Sequence, residues 1–195
     1  THSAELERVL TLPKRATLDF ESPEAAALTA QVTARFARKN PACTCQQNGR
    51  PCLNTLRPAQ AWALEEMAKT QGLLGPIGVG HGKTLLDLLT PLAVPNTKLA
   101  VLLVPPGLVG QLAAEYRRAS EHFRLPSLVL PNGGGTIRPG APVLHVVPYS
   151  RFSRPESTAL LEQIAPDLII ADEAHKLRDK GTATTSRVLR YFAAH

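Results

Sequence analysis

Gly78-Val79-Gly80-His81-Gly82-Lys83-Thr84 carries the strongest local signal in the chain. A short apolar run, Leu73 to Ile77, precedes it, and a helical pattern from Lys83 to about Leu89 follows. A glycine-rich turn between a strand and a helix lets backbone N–H groups close around an anion with no Cβ in the way. The first turn of the helix adds the positive end of its dipole. In such a turn the lysine reaches the outer phosphates of a nucleotide and the threonine hydroxyl serves Mg²⁺. Gly80, His81, Gly82, Lys83 and Thr84 are therefore the candidate nucleotide-binding residues, with Thr84 also a metal ligand and His81 part of the loop frame. The commonest spacing, G-x-x-x-x-G-K-[ST], puts glycine at position 77, where this chain has Ile77; the shorter ending G-x-G-K-T fits from Gly80 onward. The competing reading is a glycine-rich turn with an incidental lysine.

Further along the chain, Asp167-Leu168-Ile169-Ile170-Ala171-Asp172-Glu173-Ala174-His175 reads as an apolar strand ending in two carboxylates. Two acids at one strand tip repel each other, and a divalent cation offsets that cost. Asp172 is the candidate Mg²⁺ ligand through the outer coordination shell. Glu173 is the candidate general base that polarises an attacking water. Alone, the pair could be a solvated acidic loop. In series with the glycine turn it points to nucleotide hydrolysis, with Lys83 and Glu173 as the catalytic candidates.

Between these two segments, Leu99 to Val104 is a continuous apolar run closed by Pro105-Pro106, the mark of a buried strand. Ser127 to Leu130 and Val143 to Val147 read as further strands, and Asn132 to Gly140 as a flexible loop. Helices are expected over 107–123, 156–164 and 184–194. Strands alternating with helices imply an α/β fold with a parallel sheet flanked by helices, whose ligands sit at the carboxyl ends of the strands. Upstream, Ser22-Pro23-Glu24 starts a helix that carries Leu28, Val32 and Phe36 on one face and ends near Asn40-Pro41. Pro58 opens another that Gly72 closes. We divide the chain into a mostly helical N-terminal extension with a cysteine-containing loop, 1–53, and a nucleotide-binding domain, 54–195.

Composition agrees with a globular domain: of 195 residues 44% are hydrophobic and 19% charged. The net charge of +6 suits a polyanionic partner without demanding one. No apolar run approaches the roughly 20 residues of a membrane span. Three cysteines, an odd number, argue against a disulfide framework and for a reducing compartment. Cys43, Cys45 and Cys52 are spaced closely enough to share zinc, although a closed site wants a fourth ligand and no neighbouring Cys or His supplies one. The alternative is three reduced thiols packing a turn.

Here the residues reach a family. Gly80-His81-Gly82-Lys83-Thr84 with Asp172-Glu173-Ala174-His175 resembles motifs I and II of superfamily 2 helicases, in the form of Swi/Snf-type, DEAH-box P-loop ATPases. Leu56-Arg57-Pro58-Ala59-Gln60 resembles the glutamine-bearing segment of the Swi/Snf members, which implies that Gln60 contacts adenine. Leu102 through Gln111 resembles motif Ia, and Val147-Pro148-Tyr149-Ser150 the next segment that faces nucleic acid, which implies contacts at Pro106, Gly107, Tyr149 and Ser150. The resemblance covers about 54–192. It implies a first RecA-like domain and, with ATP and Mg²⁺, a DNA-dependent ATPase motor, either helicase or duplex translocase.

DNA binding would be sequence-independent and salt-sensitive, with RNA left open. Thr182-Ala183-Thr184 has the letters of motif III but precedes a helix, so we read it as the start of that helix. The strand of motif III and the second RecA-like domain with its arginine finger are expected outside this chain. Such a finger contributes about 10³–10⁵ in rate, so we expect the chain alone to bind nucleotide weakly and turn it over little. The likeness extends to helicase-like proteins of bacteriophages, implying the cytoplasm of a bacterial host. The alternative function is a nucleotide-dependent switch, or a restriction or recombination subunit using the same fold without unwinding. Glu173 weighs against a switch that never hydrolyses.

Overall fold

A computed structural model describes residues 18–38, 43, 55–75, 77, 80–157 and 159–194. It contains a five-stranded, mostly parallel sheet flanked by helices. The strands are β1 (Leu99–Val104), β2 (Ser127–Val129), β3 (Gly135–Thr136), β4 (Val143–Pro148) and β5 (Leu168–Ala171), in the order β3-β2-β4-β1-β5. The principal helices are α1 (Pro23–Phe36), α2 (Pro58–Thr70), α3 (Lys83–Ala93), α4 (Val109–Ala119), α5 (Leu160–Ile164) and α6 (Ala183–Ala194).

β1 is the spine. It pairs in parallel with β4 from Leu99↔Val143 to Val104↔Pro148, and with β5 from Ala100↔Leu168 to Leu103↔Ala171. That register aligns the carboxyl ends of three strands. Side chains alternate faces along a strand. Accordingly Ala100, Leu102 and Val104 join the larger core with residues of α1 to α4, while Val101 and Leu103 join a second core with Leu161, Val188 and Tyr191. Burial on both faces is why β1 is apolar throughout.

α1 starts as its sequence dictates. Ser22 Oγ accepts from Ala25 N at 3.1 Å, and Pro23 occupies the first turn, where no N–H is needed. The helix stops earlier than expected, at Phe36, because Ala37 turns extended and bridges Phe123. Val32 and Phe36 lie in the same apolar cluster as Leu56, Leu64 and Leu102. The helical part of the N-terminal extension thus has no core of its own. Phe36→Ala is expected to destabilise the whole fold by about 3–5 kcal/mol, seen in urea unfolding as one shifted transition. A separate early transition with the main midpoint unmoved would contradict the shared core.

Other expectations shift. Among the described residues, 73–77 form no strand: Ile77 N donates to Gly75 O at 2.8 Å, which is turn geometry, and Pro76 has no N–H for a ladder. The helix expected from Gly107 opens as a 3-10 turn over Pro106–Leu108 and becomes α-helical only at Val109. The one expected over 156–164 divides into a 3-10 turn, Pro155–Ser157, and the short α5. The loop after β2 is in part a hairpin: β3 runs antiparallel to β2, and Leu130 N donates to Gly134 O at 2.7 Å. Gly135 permits it, since a Cβ there would run into the Leu128 carbonyl. Among the described residues no helix is long and apolar enough to cross a membrane.

Candidate active site

The site is built where β1, β4 and β5 end. Beyond β5, Asp172 N continues the ladder by donating to Leu103 O at 3.0 Å, and its carbonyl accepts from Tyr149 Oη at 2.8 Å. Glu173 then turns left-handed, with φ 56° and ψ 52°. Across from it, Gly82 caps α3 with φ 76°, and Lys83 is the first helical residue. Lys83 Nζ lies 2.9 Å from Glu173 Oε1, and His175 Nδ1 lies 3.2 Å from Glu173 Oε2. Gly80, Gly82, Lys83, Thr84, Asp172 and Glu173 line one cavity of about 510 Å³. The two segments singled out in the sequence are thus brought face to face, apart from Gly78 and Val79, which lie outside the described residues.

The electrostatics follow from that contact. The hydrogen bond from Lys83 holds the Glu173 carboxyl below the ordinary range, and the same bond raises the Lys83 ammonium. Burial raises the Asp172 carboxyl, and Glu173 adds repulsion. A cation at this point would relieve both costs. Thr84 and Asp172 supply the hard oxygen donors that Mg²⁺ takes, so the residues present fit that ion. Asp87, one turn along α3, is the site's unannounced member. Burial pushes its carboxyl up to about 8, with Asp172 adding to the shift. A lone acid in the apolar run of α3 was its signal in the sequence.

Gln60 is placed differently from its expected role. Its Oε1 accepts from Arg57 N at 2.8 Å, and its Nε2 donates to Gly82 O at 2.9 Å and to His81 O at 3.4 Å. Arg57 Nη1 donates to Gly80 O at 2.8 Å. The side chain is buried and held to the loop by these bonds. Its work is to fasten the first turn of α2 to the glycine turn. A Cβ at position 82 would meet only Gln60 Nε2, the movable end of that side chain, so the glycine is needed there for its positive φ. His81 is exposed.

Of the residues expected to face nucleic acid, Pro106, Gly107 and Ser150 are exposed in turns at the carboxyl ends of β1 and β4. Tyr149 departs from that expectation. It is 7% exposed and turned into the second core, because its hydroxyl finds the Asp172 carbonyl there. Arg35 and Arg38 also serve the fold: one pairs with Glu65 at 3.0 Å, the other donates to Ser120 O at 2.7 Å. Of the proposed zinc ligands, Cys43 is half-buried, and Cys45 and Cys52 lie outside the described residues. Among the described residues no group of three or more His, Cys, Asp or Glu could hold a metal ion. The chain matches no known family model, no curated protein and no solved structure.

Proposed function

We propose that this chain is the first RecA-like, ATP-binding domain of a DNA-dependent ATPase of superfamily 2, a helicase or duplex translocase of Swi/Snf type. The observation that carries this reading is the meeting of Lys83, Thr84, Asp172 and Glu173 around one cavity at the carboxyl ends of parallel strands. Each has a part. The Gly80–Gly82 backbone and the start of α3 receive the phosphates. Lys83 leaves Glu173 for the outer phosphates. Glu173, released from that ion pair, accepts a proton from the attacking water. Mg²⁺ held near Thr84 and Asp172 would neutralise charge on the phosphoryl oxygens.

Hydrolysis on this reading needs a second RecA-like domain to close over the nucleotide and supply an arginine. The exposed turns at Pro106, Gly107 and Ser150 would follow a phosphate backbone without reading bases. The test is calorimetric titration with ATP in Mg²⁺ and again in chelator. The expected result is binding that Mg²⁺ strengthens at least about tenfold, or 1.4 kcal/mol. Equal affinity in the two buffers would remove the metal from the reading, and no binding at millimolar ATP would remove the nucleotide.

A further inference from the structure

We infer that Tyr149 is a positioning residue, whose hydroxyl sets the Asp172–Glu173 turn and links it to the exposed turn beginning at Ser150. The inference rests on the proposed function for its consequence, and on geometry alone for the tether itself. Asp172 is held at both of its backbone groups. Its N–H donates to Leu103 O of β1 at 3.0 Å, and its carbonyl accepts from Tyr149 Oη, just beyond β4, at 2.8 Å. A peptide unit is planar. Holding the Asp172 oxygen therefore also fixes the direction of the Glu173 N–H, so that φ of Glu173 is set by where its far side is held.

That torsion is unusual. Glu173 sits at φ 56°, a region that L side chains other than Asn and Asp rarely adopt. Such conformations persist only where the surroundings over-determine them. Here the determinants are the Tyr149 hydroxyl on one side and, on the other, the turn in which Lys176 N donates to Glu173 O at 2.9 Å. With the hydroxyl gone, the 172–173 peptide keeps only the bond from the Glu173 N–H to the Asp172 carboxylate, and Glu173 gains room to relax into the right-handed region. Its carboxylate then leaves Lys83 and the cavity.

The outward link runs through one short segment. Tyr149–Ser153 is a 3-10 turn with an anchored side and a free side. Tyr149 and Phe152 are buried in the second core, and the Phe152 carbonyl accepts from Arg187 Nη1 of α6. Ser150, Arg151 and Ser153 are exposed, Arg154 follows them, and the turn holds no acid. A polyanion gripping Ser150 and Arg151 pulls on the residue next to Tyr149. The displacement reaches Asp172 through a single hydrogen bond.

Tyr149→Phe tests this, because it keeps the ring and removes only the donor. Amide hydrogen exchange is compared across the whole chain, and ATP affinity is measured in Mg²⁺ and in chelator. The expected result is exchange about tenfold faster over 173–178, with β1 and β4 unchanged. The strengthening of ATP binding by Mg²⁺ should fall about tenfold, while affinity in chelator stays within about twofold. Duplex DNA should slow exchange over 173–178 in the wild type and not in the variant. Unchanged exchange over 173–178 would overturn the tether. So would acceleration spread evenly over the sheet, since that marks a residue that only fills the core. If the wild type bound no ATP, the functional reading would fall while the exchange comparison still judged the tether.

Discussion

Lys83→Ala is expected to weaken Mg²⁺-ATP binding at least about a hundredfold, or 2.8 kcal/mol. The lysine stands at the first helical position behind two glycines of positive φ, with its ammonium 2.9 Å from Glu173 and at the wall of the cavity. A hydrogen bond to a charged group contributes about 1.5–3 kcal/mol, and an ammonium bridging two phosphates makes more than one. The loss is offset only slightly by the ion pair with Glu173, which ATP must break in any case. That pair is weak, because both side chains are about a third exposed and water screens it. Alanine is an excellent helix former, and no core contact is lost. The unfolding midpoint should therefore stay where it was. Calorimetry beside a urea melt separates the two quantities. Affinity within about threefold of wild type, with the fold intact, would mean that the glycine turn is not a phosphate site.

Much of this arrangement is legible in the sequence, and the rest is hidden for physical reasons. β1, β4 and β5 announce themselves as apolar runs because strands covered on both faces have no polar side to interrupt them. Ser22 and Pro23 mark the start of α1 because cap chemistry is local. Lys83 and Glu173 stand out in the sequence through their two motifs, but their pairing is added by the fold, because among the described residues no strand precedes Lys83. The misses involve partners chosen in space. Nothing local says that the amide of Gln60 will find Gly82 O across the loop, or that the hydroxyl of Tyr149 will find the Asp172 carbonyl. Both residues look free in the sequence, so the resemblance assigns them to outside ligands. Leu73 to Ile77 has strand composition, but its described residues pair with no strand, and a proline in the sequence there has no N–H to offer a ladder. Asp87 is visible as an oddity in an apolar helix, but its burial beside Asp172 depends on how α3 lies against β5.

Glu173→Gln is expected to separate binding from chemistry, which Lys83→Ala cannot do. Glutamine keeps the length and shape of the side chain and loses the charge. On the proposed function, hydrolysis measured with the second RecA-like domain that it calls for should fall by about 10²–10⁴, the range of a positioned general base. ATP affinity should move the other way, rising by up to about fivefold. Two changes in the free protein drive that rise. Lys83 is no longer held by a carboxylate at 2.9 Å, so no ion pair is lost when it turns to phosphate. Asp172, whose carboxyl is raised partly by the neighbouring Glu173 charge, also becomes easier to ionise. Phosphate release under single-turnover conditions, read beside calorimetry, gives both quantities from the same variant. Hydrolysis undiminished by the substitution would show that Glu173 only counterbalances Lys83 and that the base lies elsewhere. Weaker binding would mean that the Lys83–Glu173 pair holds the cavity open for nucleotide instead of competing with it.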